Sequence, residues 1–167
     1  MTAAEKHRSF SPQFSSNYEQ QRCGPATFET RHCSSNRVAI AVTGDIDALN
    51  GREFGRYVQR HTRISKQLVL DLRAVEFFGT AGFTALYYIS VHCARSDVDW
   101  TIVGSDPVRR LLSVCDPDGE LPLAADLSSA LARLDRLGQG LAHVIWTAQA
   151  GWHRQPRGSA ALHRIRR

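Results

Sequence analysis

Three strand-forming runs, each followed by a segment of helical period, limit most tightly what this chain can fold into. Arg37-Val-Ala-Ile-Ala-Val-Thr43, Lys66-Gln-Leu-Val-Leu-Asp71 and Trp100-Thr-Ile-Val103 have strand length and are dominated by Val, Ile and Leu, the composition of buried strands. After the first run, Leu49, Phe54, Tyr57 and Val58 fall on one helical face. After the second, Phe83, Leu86, Ile89, Ser90 and Cys93 recur at intervals of 3 or 4, and after the third Val108, Leu111 and Leu112 form a short apolar face. Strands that alternate with helices predict an α/β domain with at least some parallel pairing.

Local signals place the boundaries. Gly44 breaks the first run, and Asp47 has the chemistry of a helix N-cap. A short link separates Asp71 from Val75-Glu-Phe-Phe78, which ends in the turn Gly79-Thr-Ala-Gly82. Gly104 ends the third run, and Asp106-Pro107 reads as an N-cap with proline at the first helical position. Phe28 to Cys33 is a candidate first, edge strand and Leu121-Pro-Leu123 a candidate last one. Asp126 caps a final helix through Leu127, Ala130, Leu131, Leu134 and Leu137, which Gly138-Gln-Gly140 is expected to stop.

Three parts are therefore expected: a mobile polar arm over residues 1–27, a folded domain over 28–137 and a basic extension over 138–167. The net charge of +5 does not belong to the domain. Residues 138–167 hold five arginines and no acid, while residues 37–137 hold 12 basic and 13 acidic residues, so the folded part has no basic excess. An arginine-rich end with Trp146 and Trp152 admits a nucleic-acid-binding module as a minor alternative, against the plainer reading of a solvated extension. No apolar run reaches the roughly 18 residues of a membrane helix, and the first eight residues lack the apolar stretch of a secretory signal, so a cytoplasmic protein is expected. Cys23, Cys33, Cys93 and Cys115 are too scattered for a zinc site or a disulfide framework.

Three features follow one another in a fixed order: Thr43-Gly-Asp-Ile-Asp47, then Leu68 to Gly82 ending in Phe-Phe-Gly-Thr-Ala-Gly, then Val103-Gly-Ser-Asp-Pro-Val-Arg-Arg-Leu-Leu112. Together they resemble the STAS domain, and within it the bacterial anti-sigma factor antagonists, over about residues 28–137. The resemblance implies a mixed sheet of four or five strands with helices packed mainly on one face. It also implies a partner, an anti-sigma factor that is a serine/threonine kinase of the histidine-kinase-like ATPase type, and indirectly a sigma factor whose release regulates transcription.

In that family a turn reading roughly Asp-Ser-Ser/Thr-Gly opens the second helix and carries the phosphorylated residue. Here the turn reads Gly79-Thr80-Ala81-Gly82, so the resemblance puts Thr80 at the acceptor position and Asp47, Gly79, Ala81, Gly82 and Phe83 on the partner surface. A phosphate adds about −1.5 to −2 charges, which a helix N-terminus tolerates while a partner meets a changed surface. Two departures bear on this: Gly79 stands where the family has aspartate, and threonine replaces the more usual serine. The plainer role for Thr80 is an N-cap contributing about 1 kcal/mol, for Asp47 capping and solvation of its turn, for Gly82 a tight turn or close packing, and for Phe83 the core. A phosphorylation-independent scaffold or sensor is thus the alternative to a switched antagonist.

Nothing in the sequence points to an enzyme. The seven histidines pair with no Ser or Cys in a nucleophile motif, His92 and Cys93 are helix neighbours that face different ways, and no phosphate-binding loop is present. No cofactor or metal is expected.

Overall fold

The structure, a computed structural model, describes residues 18–151, with side chains described through residue 139. Six strands form one sheet in the order β1-β2-β3-β4-β5-β6. They are β1 (Tyr18–Cys23), β2 (Ala26–His32), β3 (Arg37–Ile46), β4 (Gln67–Phe78), β5 (Asp99–Gly104) and β6 (Leu123–Ala124). The pairs β1–β2 and β2–β3 are antiparallel, and β3–β4, β4–β5 and β5–β6 are parallel. Helices α1 (Gly51–His61), α2 (Thr80–Ser96) and α3 (Asp106–Cys115) connect the parallel strands, and α4 (Leu127–Gly151) follows β6.

This order explains where the helices lie. Three successive crossovers step across the sheet in one direction, and right-handed crossovers taken in one direction put all their helices on the same face. On that face Val38, Ile40 and Val42 of β3, Leu68, Leu70 and Leu72 of β4, and Trp100 and Ile102 of β5 meet Phe54, Tyr57 and Val58 of α1, Leu86 and Ile89 of α2 and Val108 and Leu112 of α3. The alternate residues of the central strands point the other way. There α4 packs on β4 to β6, burying Ala130 and Leu134. The mixed α/β architecture with helices mainly on one face agrees with the sequence reading, with one or two strands more than expected.

The extra strand lies in what was read as an arm. Tyr18-Glu-Gln-Gln-Arg-Cys23 has no apolar face, yet it pairs in register with β2 from Tyr18↔Arg31 to Cys23↔Ala26. The sheet therefore begins ahead of residue 28, and the Phe28 segment is an inner strand, not an edge. Side chains from α1 reach across to hold β1: the Tyr57 hydroxyl donates to the Glu19 carbonyl at 3.4 Å and Arg60 donates to the Gln21 amide oxygen at 2.9 Å. Phe28 packs on Tyr57 with ring centroids 5.2 Å apart. Residues 1–17 lie outside the described residues.

Other boundaries moved for local reasons. β3 does not stop at Gly44 but continues to Ile46 through register shifts. Gly44 has φ +87°, and a Cβ there would lie 2.2 Å from the Pro25 carbonyl oxygen, so only glycine fits this crossing. Val75–Phe78 is the continuation of β4, not a separate strand. Asp47 is not the cap of α1; Asn50 is, so Leu49 precedes the helix and is 88% exposed instead of joining its buried face. Ser105 takes the cap position of α3, which moves Asp106 to the first turn. Asp126 does bind the start of α4, accepting from the Ser129 N–H at 2.7 Å, and that bond leads the causes holding its carboxyl below the usual aspartate value.

The expected stop at Gly138 fails: α4 runs through Gly138-Gln-Gly140 to Gly151. A glycine inside a helix costs only about 1 kcal/mol against alanine, and helix-compatible residues follow. The side chains of Trp146, Trp152 and the terminal arginines lie outside the described residues.

Candidate functional site

The first two sequence features meet at the C-terminal end of the β3–β4 pair. Ile46 is in register with Phe78, and the Gly79 N–H donates to the Ile46 carbonyl at 2.9 Å. The Asp45–Asp47 turn therefore lies beside the turn that opens α2. Open α/β sheets commonly present binding residues at this end of their parallel strands.

The Asp47 turn is built from its own polar groups. The Asp47 carboxylate accepts from the Leu49 N–H at 2.8 Å, and the Asp47 N–H donates to the Asn50 amide oxygen at 2.9 Å. Asn50, 1% exposed, donates its Nδ2 to the carbonyls of Asp45 at 2.8 Å and Cys23 at 3.3 Å. One buried amide thus ties β3, the β1–β2 hairpin and α1 together beneath the surface. Sequence reasoning missed Asn50, although an Asn directly before a helical segment is the available signal.

Gly79 occupies the N-cap of α2 with extended backbone, so α2 begins without a side-chain cap and has no acid in its first turn. Thr80, the first helical residue, is exposed. Its carbonyl accepts from the Thr84 hydroxyl at 3.0 Å, while its own hydroxyl has no hydrogen bond among the described residues. The expected capping role is absent because Thr80 is one residue inside the helix. Ala81 is half-buried against α1. Gly82 is buried, and a Cβ on it would lie 2.6 Å from the Phe78 ring, so it acts by close packing. Phe83 is partly buried against the core.

Two exposed apolar residues join this surface unpredicted: Leu49, and Phe77 at 53% exposure. Phe77 lies beside Gly79, its ring 3.3 Å from where a Cβ there would sit. Alternation from Leu68, Leu70 and Leu72 puts Phe78 on the core face and Phe77 on the other, and the two register shifts of β3–β4, each adding one residue to β4, leave that phase unchanged.

The third feature stays apart. Gly104 pairs with Leu72, and the Ser105 N–H donates to the Leu72 carbonyl at 3.1 Å, six residues or roughly 20 Å of strand before Phe78. His92 and Cys93 also do no chemistry together: His92 Nε2 is 3.0 Å from the Thr62 hydroxyl, and burial pushes the Cys93 thiol up to about 12. Among the described residues no group of three or more His, Cys, Asp or Glu is placed to hold a metal ion, and no helix is long and apolar enough to cross a membrane.

A six-stranded mixed sheet with an exposed hydroxyl-bearing turn at the end of its parallel strands defines the class of fold. The STAS domain family model matches residues 28–130, and the chain belongs to that family. Solved structures of the same fold include an anti-sigma factor antagonist from Mycobacterium paratuberculosis, with TM-score 0.56 and 23% identity over 65% of this chain and 92% of that one. The anti-sigma factor antagonist SpoIIAA in its unphosphorylated form matches with TM-score 0.54 and 12% identity, over 65% of this chain and 96% of its own. RsbS of Moorella thermoacetica matches with TM-score 0.52 and 18% identity, over 64% and 93%. In sequence the chain is similar to osmosensory protein A of Mycobacterium tuberculosis, 29% identical over 96 residues that span 55% of this chain and 61% of that relative.

Proposed function

We propose that this protein is an anti-sigma factor antagonist: a binding protein, not an enzyme, that captures an anti-sigma factor and so frees a sigma factor for transcription in the cytoplasm. Capture uses the turn at Thr80 with Asp47, Gly79, Ala81 and Phe83, over the packing supplied by Gly82. The observation that carries this reading is the Thr80 hydroxyl, exposed, without a hydrogen bond among the described residues, and set beside exposed Leu49 and Phe77. Exposed apolar side chains around a polar centre are what a protein partner buries.

Phosphorylation of Thr80 would end capture without unfolding the domain. The N-terminus of α2 carries the positive end of the helix dipole with no acid in its first turn, so a phosphate is accommodated there. The same charge would place a strongly hydrated group in the centre of an apolar contact. Incubation with the source bacterium's histidine-kinase-like ATPases and ATP, followed by mass spectrometry, tests the switch. Stoichiometric phosphate on Thr80 is the expected result. Its absence with every such kinase favours the second reading, a phosphorylation-independent scaffold, which is supported by Gly79: no carboxylate stands at that position to orient the hydroxyl.

A further inference from the structure

Helices α1 and α2 touch through small residues. A Cβ on Gly51 would lie 2.8 Å from the Cβ of Ala81, and one on Gly55 would lie 3.6 Å from that of Ala85. This close approach leaves a groove of about 520 Å³ along the outer side of the helix pair. Arg52, Arg56 and Gln59 of α1 form one wall, and Thr84 and Tyr88 of α2 form the other.

The charge of the groove is one-sided. Arg52 and Arg56 are exposed, stand at i and i+4 on one helix, and have no ion pair or hydrogen bond among the described residues. Arg37, Arg60, Arg73 and Arg109 are engaged, with Asp135, Glu19, Asp71 and the carbonyls of Gly104, Ala124 and Ala125; Arg110 and Arg133 are unpaired among the described residues too, but they line no groove with a second arginine. No acid occurs in α2 from Thr80 to Ser96. The one acid of α1, Glu53, accepts from Gln21 of β1, and Asp47 before it is turned to the Leu49 N–H. Tyr88 is 60% exposed, so its ring is available on the wall opposite the arginines, beside Ala81 and Ala85.

We propose that this groove docks an acidic helical segment of the protein partner, with carboxylates on Arg52 and Arg56 and an apolar residue against Tyr88. Arginine forks match carboxylates, and a shallow groove between two helices suits the face of a third. Thr84 lies one turn from Thr80, so the groove is continuous with the Thr80 turn. The proposal rests on the reading of that turn as a partner-binding surface, extending the contact and giving its second half a chemistry.

The test uses a synthetic helical peptide of about 16 residues with Glu at i and i+4 beside Leu, and its Lys-substituted counterpart, titrated into the full-length isotope-labelled protein at about 0.15 M salt. Saturable amide shifts at residues 52, 56, 84 and 88 are expected with the Glu peptide and not with the Lys peptide. Arg52→Glu/Arg56→Glu is expected to weaken binding tenfold or more. Arg110→Glu/Arg133→Glu, the same charge change on α3 and α4, is expected to change it less than twofold. Arg52→Gln/Arg56→Gln, which carries no added negative charge, serves if the Glu variant fails to fold. Shifts confined elsewhere, no saturable shift, or equal losses from both double variants would overturn the proposal. Since Thr80→Ala is expected to leave peptide binding intact, failure of this assay does not touch the Thr80 reading. Conversely, failure to capture an anti-sigma factor while the peptide still binds counts against the Thr80 reading alone.

Discussion

The two ends of β4 are built to opposite rules. At the end where the strand begins, polar groups are used up in holding the fold. Gln67 donates to the Leu134 carbonyl of α4 at 2.7 Å and accepts from Arg37, Arg37 pairs with Asp135, and Lys66 donates to the Ser96 carbonyl. At the end where it finishes, the Thr80 hydroxyl has no hydrogen bond among the described residues and Phe77 and Leu49 are exposed. The first end secures helices to the sheet, while the second leaves a surface whose polar and apolar groups can be claimed by a partner. Fixed scaffold and open surface are thus separated along a single strand.

The largest effect is expected just beneath the open end. Asn50→Ala removes one buried side chain that serves three backbone groups, the Asp45 and Cys23 carbonyls and the Asp47 N–H, and takes that partner from each. A loss of about 3 kcal/mol in urea unfolding is predicted. A loss below about 0.5 kcal/mol would mean the open end has no such support.

At the closed end, Gln67→Ala removes the acceptor of the Arg37 Nε and the tie from β4 to the Leu134 carbonyl of α4. It should cost about 1–2 kcal/mol, measured in the same way.

Acid should act at the closed end too. His61 at the end of α1 and His92 near the end of α2 both have pKa values lowered chiefly by burial. Each is therefore more easily protonated in the unfolded chain. Their contribution to stability is complete above the ordinary value of 6.5 and declines as pH falls through it toward the lowered folded values. Urea midpoints at pH 7.5 and 5.5 should show the decline, and replacing both histidines by Gln should flatten it.

The smallest stability effects are predicted on the open surface. Thr80→Ala and Leu49→Ser should each stay within about 0.5 kcal/mol of wild type, because both side chains are exposed and the Thr80 hydroxyl has no hydrogen bond among the described residues. A larger loss on either would erase the contrast between the two ends.

Much of this was legible in the sequence. The inner strands announced themselves because β3 to β5 are buried, so their Val, Ile and Leu runs are the fold's own signature. The ordered motifs placed Thr80 at the start of α2. β1 stayed hidden because an edge strand made of Glu, Gln and Arg is held by backbone pairing and by side chains reaching from α1, neither of which leaves a period in the sequence. The position of Asp47 misled by three residues, since its carboxylate binds the Leu49 N–H within the turn instead of opening the helix. Leu49 and Phe77 look like core residues by residue type. The delayed start of α1 puts Leu49 outside, and Phe77 stands on the face of β4 opposite buried Phe78.

The central claim is tested most directly by titrating a purified anti-sigma factor from the source organism into the wild-type protein and into Thr80→Glu, whose carboxylate stands in for phosphate. The account predicts saturable binding to wild type and at least a tenfold weaker complex with Thr80→Glu, at an unchanged urea midpoint. Equal affinity for the two proteins, or no complex with wild type, would contradict it.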